Sequence, residues 1–137
     1  MARTRRVERG LLDTSVIVDL ERIDPAVLPA ESAISALTLA ELAAGPHAAG
    51  GLEERARRQD RLQRIEAGTN PIPFDVNAAR AYGRLYAAVA GAGRKPRGAR
   101  AVDLMIAATA LAEGLPLFTR NPKDFAAIGD LVDVISV

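Results

Sequence analysis

Acids and amides sit at four places in this 137-residue chain where one backbone element gives way to the next. Asp13 follows the apolar run Gly10-Leu11-Leu12, Glu41 follows Thr38-Leu39-Ala40, Asp103 lies between Val102 and Leu104, and Asn121 precedes Pro122-Lys123-Asp124. Taken singly, each has an ordinary explanation. Asp and Asn cap helices well, an acid in a first helical turn suits the macrodipole, and Thr38-x-x-Glu41 fits a capping box. As a group they ask for more, because capping does not need acids at successive sites that would converge and repel one another. A divalent cation removes that repulsion. Mg²⁺ and Mn²⁺ take hard oxygen ligands and keep part of their water, so three or four carboxylate or amide oxygens around an open cavity suit them. Such ions promote phosphodiester hydrolysis by lowering the pKa of an attacking water and offsetting charge on the phosphate and leaving oxygen.

Elimination narrows the alternatives. The chain has no Cys, which excludes disulfides, thiolate-zinc sites and cysteine nucleophiles. Its one histidine, His47, lies in Gly45-Pro46-His47-Ala48-Ala49-Gly50 and reads as a surface loop residue, so hydrolysis by a histidine pair is unavailable. No phosphate loop ending in Lys-Ser/Thr and no strand-adjacent G-x-G-x-x-G is present. Ser15 lacks a histidine partner for triad chemistry. It orients Asp13 or a water, or simply caps a helix.

The elements expected to position these residues alternate between strand and helix. Gly10-Leu11-Leu12 reads as a short buried strand with Asp13 at its carboxyl end, and Val16 to Leu20 as a short helix. Ala33 to Leu37 is a second strand candidate, and Thr38 to Ala44 opens a helix that Gly45-Pro46 stops, with Glu41 in its first turn. A long polar helix runs from about Leu52 to Ala67, an extended stretch covers Ile72 to Phe74, and a helix spans Val76 to about Ala90, its two tyrosines packing. Val102 to Glu113 is a helix begun by Asp103 and closed by Gly114. A strand from Leu115 to Thr119, a short helix from Asn121 and a final strand from Leu131 to Val137 complete the chain. This order predicts one α/β domain of three layers, α/β/α, around a central, mostly parallel sheet, with ligands bound beyond the strands' carboxyl ends. Residues 1–9 read as a flexible basic tail and residues 10–137 as the single domain.

Composition is that of an ordinary domain, 49% hydrophobic and 26% charged, with a net charge of only +1. The molecule as a whole is no polycation, yet its cations cluster. Arg3, Arg5, Arg6 and Arg9 open the chain, Arg55, Arg57, Arg58, Arg61 and Arg64 share a central segment, and Arg94, Lys95, Arg97 and Arg100 precede the last long helix. Such patches bind phosphates locally, although the central cluster alternates with Glu53, Glu54, Asp60 and Glu66 and equally suits a solvated helix face. Without cysteines, a secretory leader or an apolar run long enough to span a membrane, a cytoplasmic location is expected.

Four blocks, in order, carry a family resemblance: Leu11-Leu12-Asp13-Thr14-Ser15, Leu39-Ala40-Glu41-Leu42-Ala43-Ala44-Gly45, Ala101-Val102-Asp103-Leu104-Met105-Ile106-Ala107-Ala108, and Phe118-Thr119-Arg120-Asn121-Pro122-Lys123-Asp124-Phe125. Over roughly residues 10 to 137 the chain resembles PIN-domain nucleases, specifically bacterial VapC toxins. That resemblance implies a PIN fold, a homodimer, Mg²⁺- or Mn²⁺-dependent endoribonuclease activity on structured RNA such as tRNA or rRNA, and inhibition by a cognate VapB antitoxin. It makes Asp13, Glu41 and Asp103 metal ligands and puts Asn121 where many relatives carry a fourth acid. Asn121 brings no charge, so Asp124, one helical turn on, is the alternative for that place. Thr14, Ser15 and Arg120 become supporting or phosphate-contacting residues. A basic side chain of the antitoxin entering the acidic pocket would compete with the metal there.

Two other readings compete. In a phosphoacceptor or phosphatase-like domain Asp13 would itself be phosphorylated, but that chemistry calls for D-x-D where this chain has Asp13-Thr14-Ser15. In a non-catalytic partner- or RNA-binding α/β module the acids would serve as caps.

Overall fold

The computed structural model describes residues 6–94 and 98–137. Four strands, β1 (Arg9–Leu12), β2 (Glu31–Ala33), β3 (Leu117–Thr119) and β4 (Val134–Ser136), pair in the order β2-β1-β3-β4, every pair parallel. Parallel neighbours need crossover connections. These are supplied by α1 (Thr14–Val18) after β1, by α2 (Ala36–Ala48), α3 (Leu52–Gly68), α4 (Val76–Gly91) and α5 (Ala99–Glu113) between β2 and β3, and by a 3₁₀ helix, Pro122–Ile128, before β4.

The two-residue period of the strands divides the interior into two apolar layers. Leu11, Ala33 and Leu117 face one side, where they meet Ala81 and Leu85 of α4, Leu104, Ile106 and Ala107 of α5, and Phe125. Leu12, Ile34 and Phe118 face the other, against Val16 and Ile17 of α1, Leu42 of α2, and Leu62 and Ile65 of α3. The sheet is thus covered on both faces, the α/β/α arrangement expected. Phe118 is fully buried and its ring lies across β1, so a Cβ at Gly10 would run into it. Glycine lets those two backbones approach.

The first crossover leads from β1 to β2 on one side, and the chain then passes to β3 on the other side of β1. Beyond the carboxyl ends of β1 and β3 the connections diverge and leave a crevice. Asp13 immediately follows β1 and Arg120 immediately follows β3.

Several boundaries differ from the sequence reading, for local reasons. Arg9 belongs to β1, and the backbone carbonyls of Val7 and Glu8 accept hydrogen bonds from Ala30 and Glu31. The Arg6 side chain donates to the carbonyls of Pro25, Leu28 and Pro29, so residues 6–9 are part of the domain's edge and not a tail. Residues 1–5, with Arg3 and Arg5, lie outside the described residues, as do Lys95 and Arg97. The second strand ends at Ala33, because Ser35 caps α2 by accepting the Thr38 N–H at 3.0 Å. Pro46 does not stop α2, which continues to Ala48 and carries His47 in its last turn. Proline in a last turn removes only one ladder bond, and the Gly45 carbonyl accepts from Arg58 Nη1 at 2.9 Å. Arg100, from the basic stretch before Asp103, belongs to α5, which starts at Ala99 and closes on Gly114 in the left-handed conformation.

Candidate active site

These shifted boundaries change what the acids can be. With α2 beginning at Ala36 and α5 at Ala99, Glu41 and Asp103 sit in second turns, and neither helix has an acid in its first turn. The expected capping box at Thr38 therefore does not form. Asp103 caps nothing either, since Gly98 holds the N-cap position of α5. The bland explanation survives only for Asp13, which caps α1 by accepting the Val16 N–H at 3.2 Å.

Asp13 is buried, and both hydrogen bonds to its carboxylate among the described residues fall on Oδ1, from Val16 N–H and from Ser15 Oγ at 2.5 Å. Ser15 Oγ in turn accepts the Arg120 N–H at 3.0 Å and lies 3.5 Å from Thr119 Oγ1. Thr119 Oγ1 accepts the Asn121 N–H at 3.0 Å. A chain of two hydroxyls thus ties the end of β1 to the end of β3. Glu41 is held from the same turn by Thr14, whose Oγ1 donates to Oε1 at 2.6 Å and lies 3.1 Å from Thr38 Oγ1. Charge-assisted bonds of this length fix a carboxylate's position without cancelling its charge.

Asp103 is half-buried on α5, held there by the fully buried Ile106, Ala107 and Ala110 on the same helix. Burial pushes its carboxyl up to about 6, and the negative charges of Glu41, Asp13 and Asp124 push in the same direction. Those three neighbours come from α2, the end of β1 and the 3₁₀ helix after β3. Acids from four separate elements therefore share one electrostatic neighbourhood. Their donor chemistry fits a hard divalent cation, and a cation would relieve the repulsion that raises Asp103. The side chains stand short of a closed cage, because among the described residues no group of three His, Cys, Asp or Glu is gathered tightly enough to hold an ion as it stands.

Asn121 and Asp124 part company in the structure. Asp124 lines a small notch together with Asp103, whereas Asn121 is exposed, engages Thr119 through its backbone, and makes no side-chain capping bond. Arg120 is committed elsewhere. Its Nε lies 3.4 Å from Asp19 Oδ2 and its Nη1 donates to the Val137 carbonyl at 3.2 Å, so its link to the site is the backbone N–H on Ser15. The buried hydroxyls of Thr38 and Thr119 were not assigned to the site from the sequence. Thr119 carried a readable signal, since it ends a strand two residues before Asn121 in the last motif block; Thr38 was hidden by its apparent fitness as a cap.

A PIN-domain family model matches residues 10–131, which takes in all of the acids above. Ribonuclease VapC5 of Mycobacterium tuberculosis is 38% identical over 128 residues, covering 91% of both chains. VapC ribonuclease Y4jK of Sinorhizobium fredii is 36% identical over 139 residues, covering 92% of this chain and 95% of its own. The crystal structure of VapBC-5, a member of the VapBC family of toxin-antitoxin systems from M. tuberculosis, superposes with a TM-score of 0.82 at 38% identity, over 94% of this chain and 98% of the other.

Proposed function

The chain belongs to the PIN-domain family, among its VapC ribonucleases, and from that membership we propose that it is the toxin of a VapBC-type pair, an endoribonuclease whose Mg²⁺ or Mn²⁺ is held by Asp13, Glu41 and Asp103. Asp124 is the fourth acid of this reading, and Asn121 is left to a backbone role at the head of the 3₁₀ helix. The observation that carries it is the convergence on Asp103 of the charges of Glu41, Asp13 and Asp124, against a burial that already disfavours ionisation. A structural set of caps would not sustain that cost.

A bound divalent ion would lower the pKa of an attacking water and offset charge on the scissile phosphate. The chain's own residues do the positioning. Ser15 and the Val16 N–H hold Asp13 through Oδ1, and Thr14 holds Glu41 through Oε1, so that both carboxylates are oriented before an ion would bind. The buried face of α5 keeps Asp103 from withdrawing into solvent. Side chains fixed beforehand need little rearrangement when the ion and RNA arrive.

The resemblance to VapC toxins makes a structured RNA, tRNA or rRNA, the substrate class, read by shape as much as by sequence. A cognate VapB-type antitoxin is the inhibitor, its basic side chain competing with the cation for the acids. A homodimer in the cytoplasm is the working form; among the described residues no helix is long and apolar enough to cross a membrane.

The experiment is direct. Purified free of any partner, the protein is incubated with total cellular RNA and Mg²⁺, Mn²⁺ or EDTA, and new 5′ ends are mapped. Discrete new ends that require the metal and vanish in Asp103→Asn are expected; RNA left intact under both metals would refute the reading.

A further inference from the structure

We propose that Arg94 and Arg100 form a seat for an RNA backbone phosphate beside the acid cluster, so that the enzyme grips its substrate on the α4–α5 side of the scissile bond. The proposal rests on the ribonuclease reading and deepens it. A cluster of acids repels the polyanion it has to cut, and a cation at the centre answers only for the reacting phosphate. The neighbouring phosphates need positive charge of their own. Arg94 and Arg100 supply it where it is required, because they line one notch with Asp103 and Asp124, floored by Leu104 and Phe125.

Both arginines are exposed, and among the described residues neither forms an ion pair with an acid. Their backbones are nevertheless fixed. The Arg94 N–H donates to the Val89 carbonyl at 3.1 Å at the end of α4, and Arg100 lies in the first turn of α5, three residues before Asp103 and hence on the same face. Guanidinium forks suit phosphate oxygens bidentately. The notch is open to solvent, and its cavity of about 50 Å³ is far below the ~300 Å³ at which small-molecule pockets begin, a size that suits a single phosphate group.

The test begins with wild-type protein cutting, in Mg²⁺, a labelled RNA that spans its mapped cleavage site; no cleavage at this stage refutes the ribonuclease reading itself. The variant Arg94→Gln/Arg100→Gln is then compared with a charge-matched control, Arg22→Gln/Arg80→Gln, at exposed positions outside the basic clusters. Expected for the first is a KM raised about ten-fold per arginine with kcat within about two-fold. Binding of the same RNA in EDTA, followed by fluorescence anisotropy, should lose about 0.7 per arginine from its log–log salt slope. The control should change neither. Arg94→Lys/Arg100→Lys, which keeps the charge without the fork, should recover the salt slope but only part of the KM. Should the glutamine pair melt early, this lysine pair carries the test alone. An unchanged KM and salt slope overturns the proposal while leaving the nuclease reading intact. So does a loss shared equally by the control, or an unchanged RNA affinity with weakened antitoxin binding, which would assign the arginines to the protein partner.

Discussion

Helices α3 and α5 are nearly equal in length, 17 and 15 residues, and are stabilised by opposite means. α3 has no buried residue. Glu54 accepts from Arg57 Nη2 at 2.6 Å and from Arg58 Nε at 3.0 Å, and Arg64 lies 3.2 Å from Asp60, so its ordering draws on pairs one turn apart. α5 buries Leu104, Ile106, Ala107, Ala108 and Ala110 and depends on packing. Each carries an acid with a displaced pKa, and the displacements have opposite signs. Hydrogen bonds from Arg57 and then Arg58 hold Glu54 below its usual range, whereas burial and three acids push Asp103 up to about 6. The charge on α3 helps its helix; the charge on α5 opposes the fold that holds it there. A fold that tolerates such a charge on its best-packed helix has a use for it, and in the proposed reading that use is to hold a cation.

The largest effect expected is therefore a split one. Asp103→Asn should lower RNA cleavage by more than about a hundred-fold, beyond the range typical of losing a supporting residue at a metal site, while the metal-free protein melts no lower than wild type. Matched cleavage assays and thermal melts measure both. Loss of activity accompanied by unfolding would mean that Asp103 is structural, and the contrast between the helices would collapse.

Packing supplies the next effect. Ile106 is fully buried in α5, and its truncation to Ala should cost about 2–5 kcal/mol in urea unfolding. Ile65 of α3 only leans on its apolar layer, and Ile65→Ala should cost about 1 kcal/mol. Equal costs would show that α3 is as much a core helix as α5.

That contrast also explains what was legible beforehand. Apolar runs at strand spacing and the polar character of Leu52 to Ala67 revealed the sheet and α3, because both depend on local patterning. The starts of α2 and α5 were not legible. Ser35 and Gly98 hold the N-cap positions, and nothing in the sequence ranks Ser35 above Thr38, or tells that a glycine would precede a helix including Arg100. The acids themselves stood out by type and motif. Whether Asn121 or Asp124 faces Asp103 depended on the path taken after β3, which is tertiary, as are the links from Ser15 to Asp13 and Arg120. The pairing of Arg120 with Asp19 was invisible for the same reason.

Acidity separates the two charges by the direction in which stability moves. Asp103 has an ordinary value of 3.8 and a folded value of about 6, so between these the native state holds a proton that the unfolded chain has lost. Stability of the metal-free protein at this group is lowest above pH 6 and rises as pH falls towards 4. With solvent screening of a half-exposed carboxyl allowed for, the gain is on the order of 1 kcal/mol. Urea unfolding in EDTA across that range, wild type minus Asp103→Asn, isolates it from the other acids. Mg²⁺ at pH 7 should produce stabilisation of the same sign by binding only the folded state. A difference that shrinks as pH rises would contradict the arrangement of acids around Asp103.

The smallest effect belongs to Glu54. Its folded pKa lies below the ordinary 4.5, so whatever it adds to stability is present above pH 4.5 and is lost as pH falls through the lower folded value, the reverse of Asp103. Surface pairs are weak, and Glu54→Gln should move the melting temperature by no more than about one degree at pH 7, with cleavage unchanged. The two variants then shift the melt in opposite directions at pH 7 in the absence of metal, Glu54→Gln slightly down and Asp103→Asn up. A drop of many degrees for Glu54→Gln would show that α3 is an integral support held by its ion pairs, and that exposure alone does not distinguish the helix that carries chemistry from the one that does not.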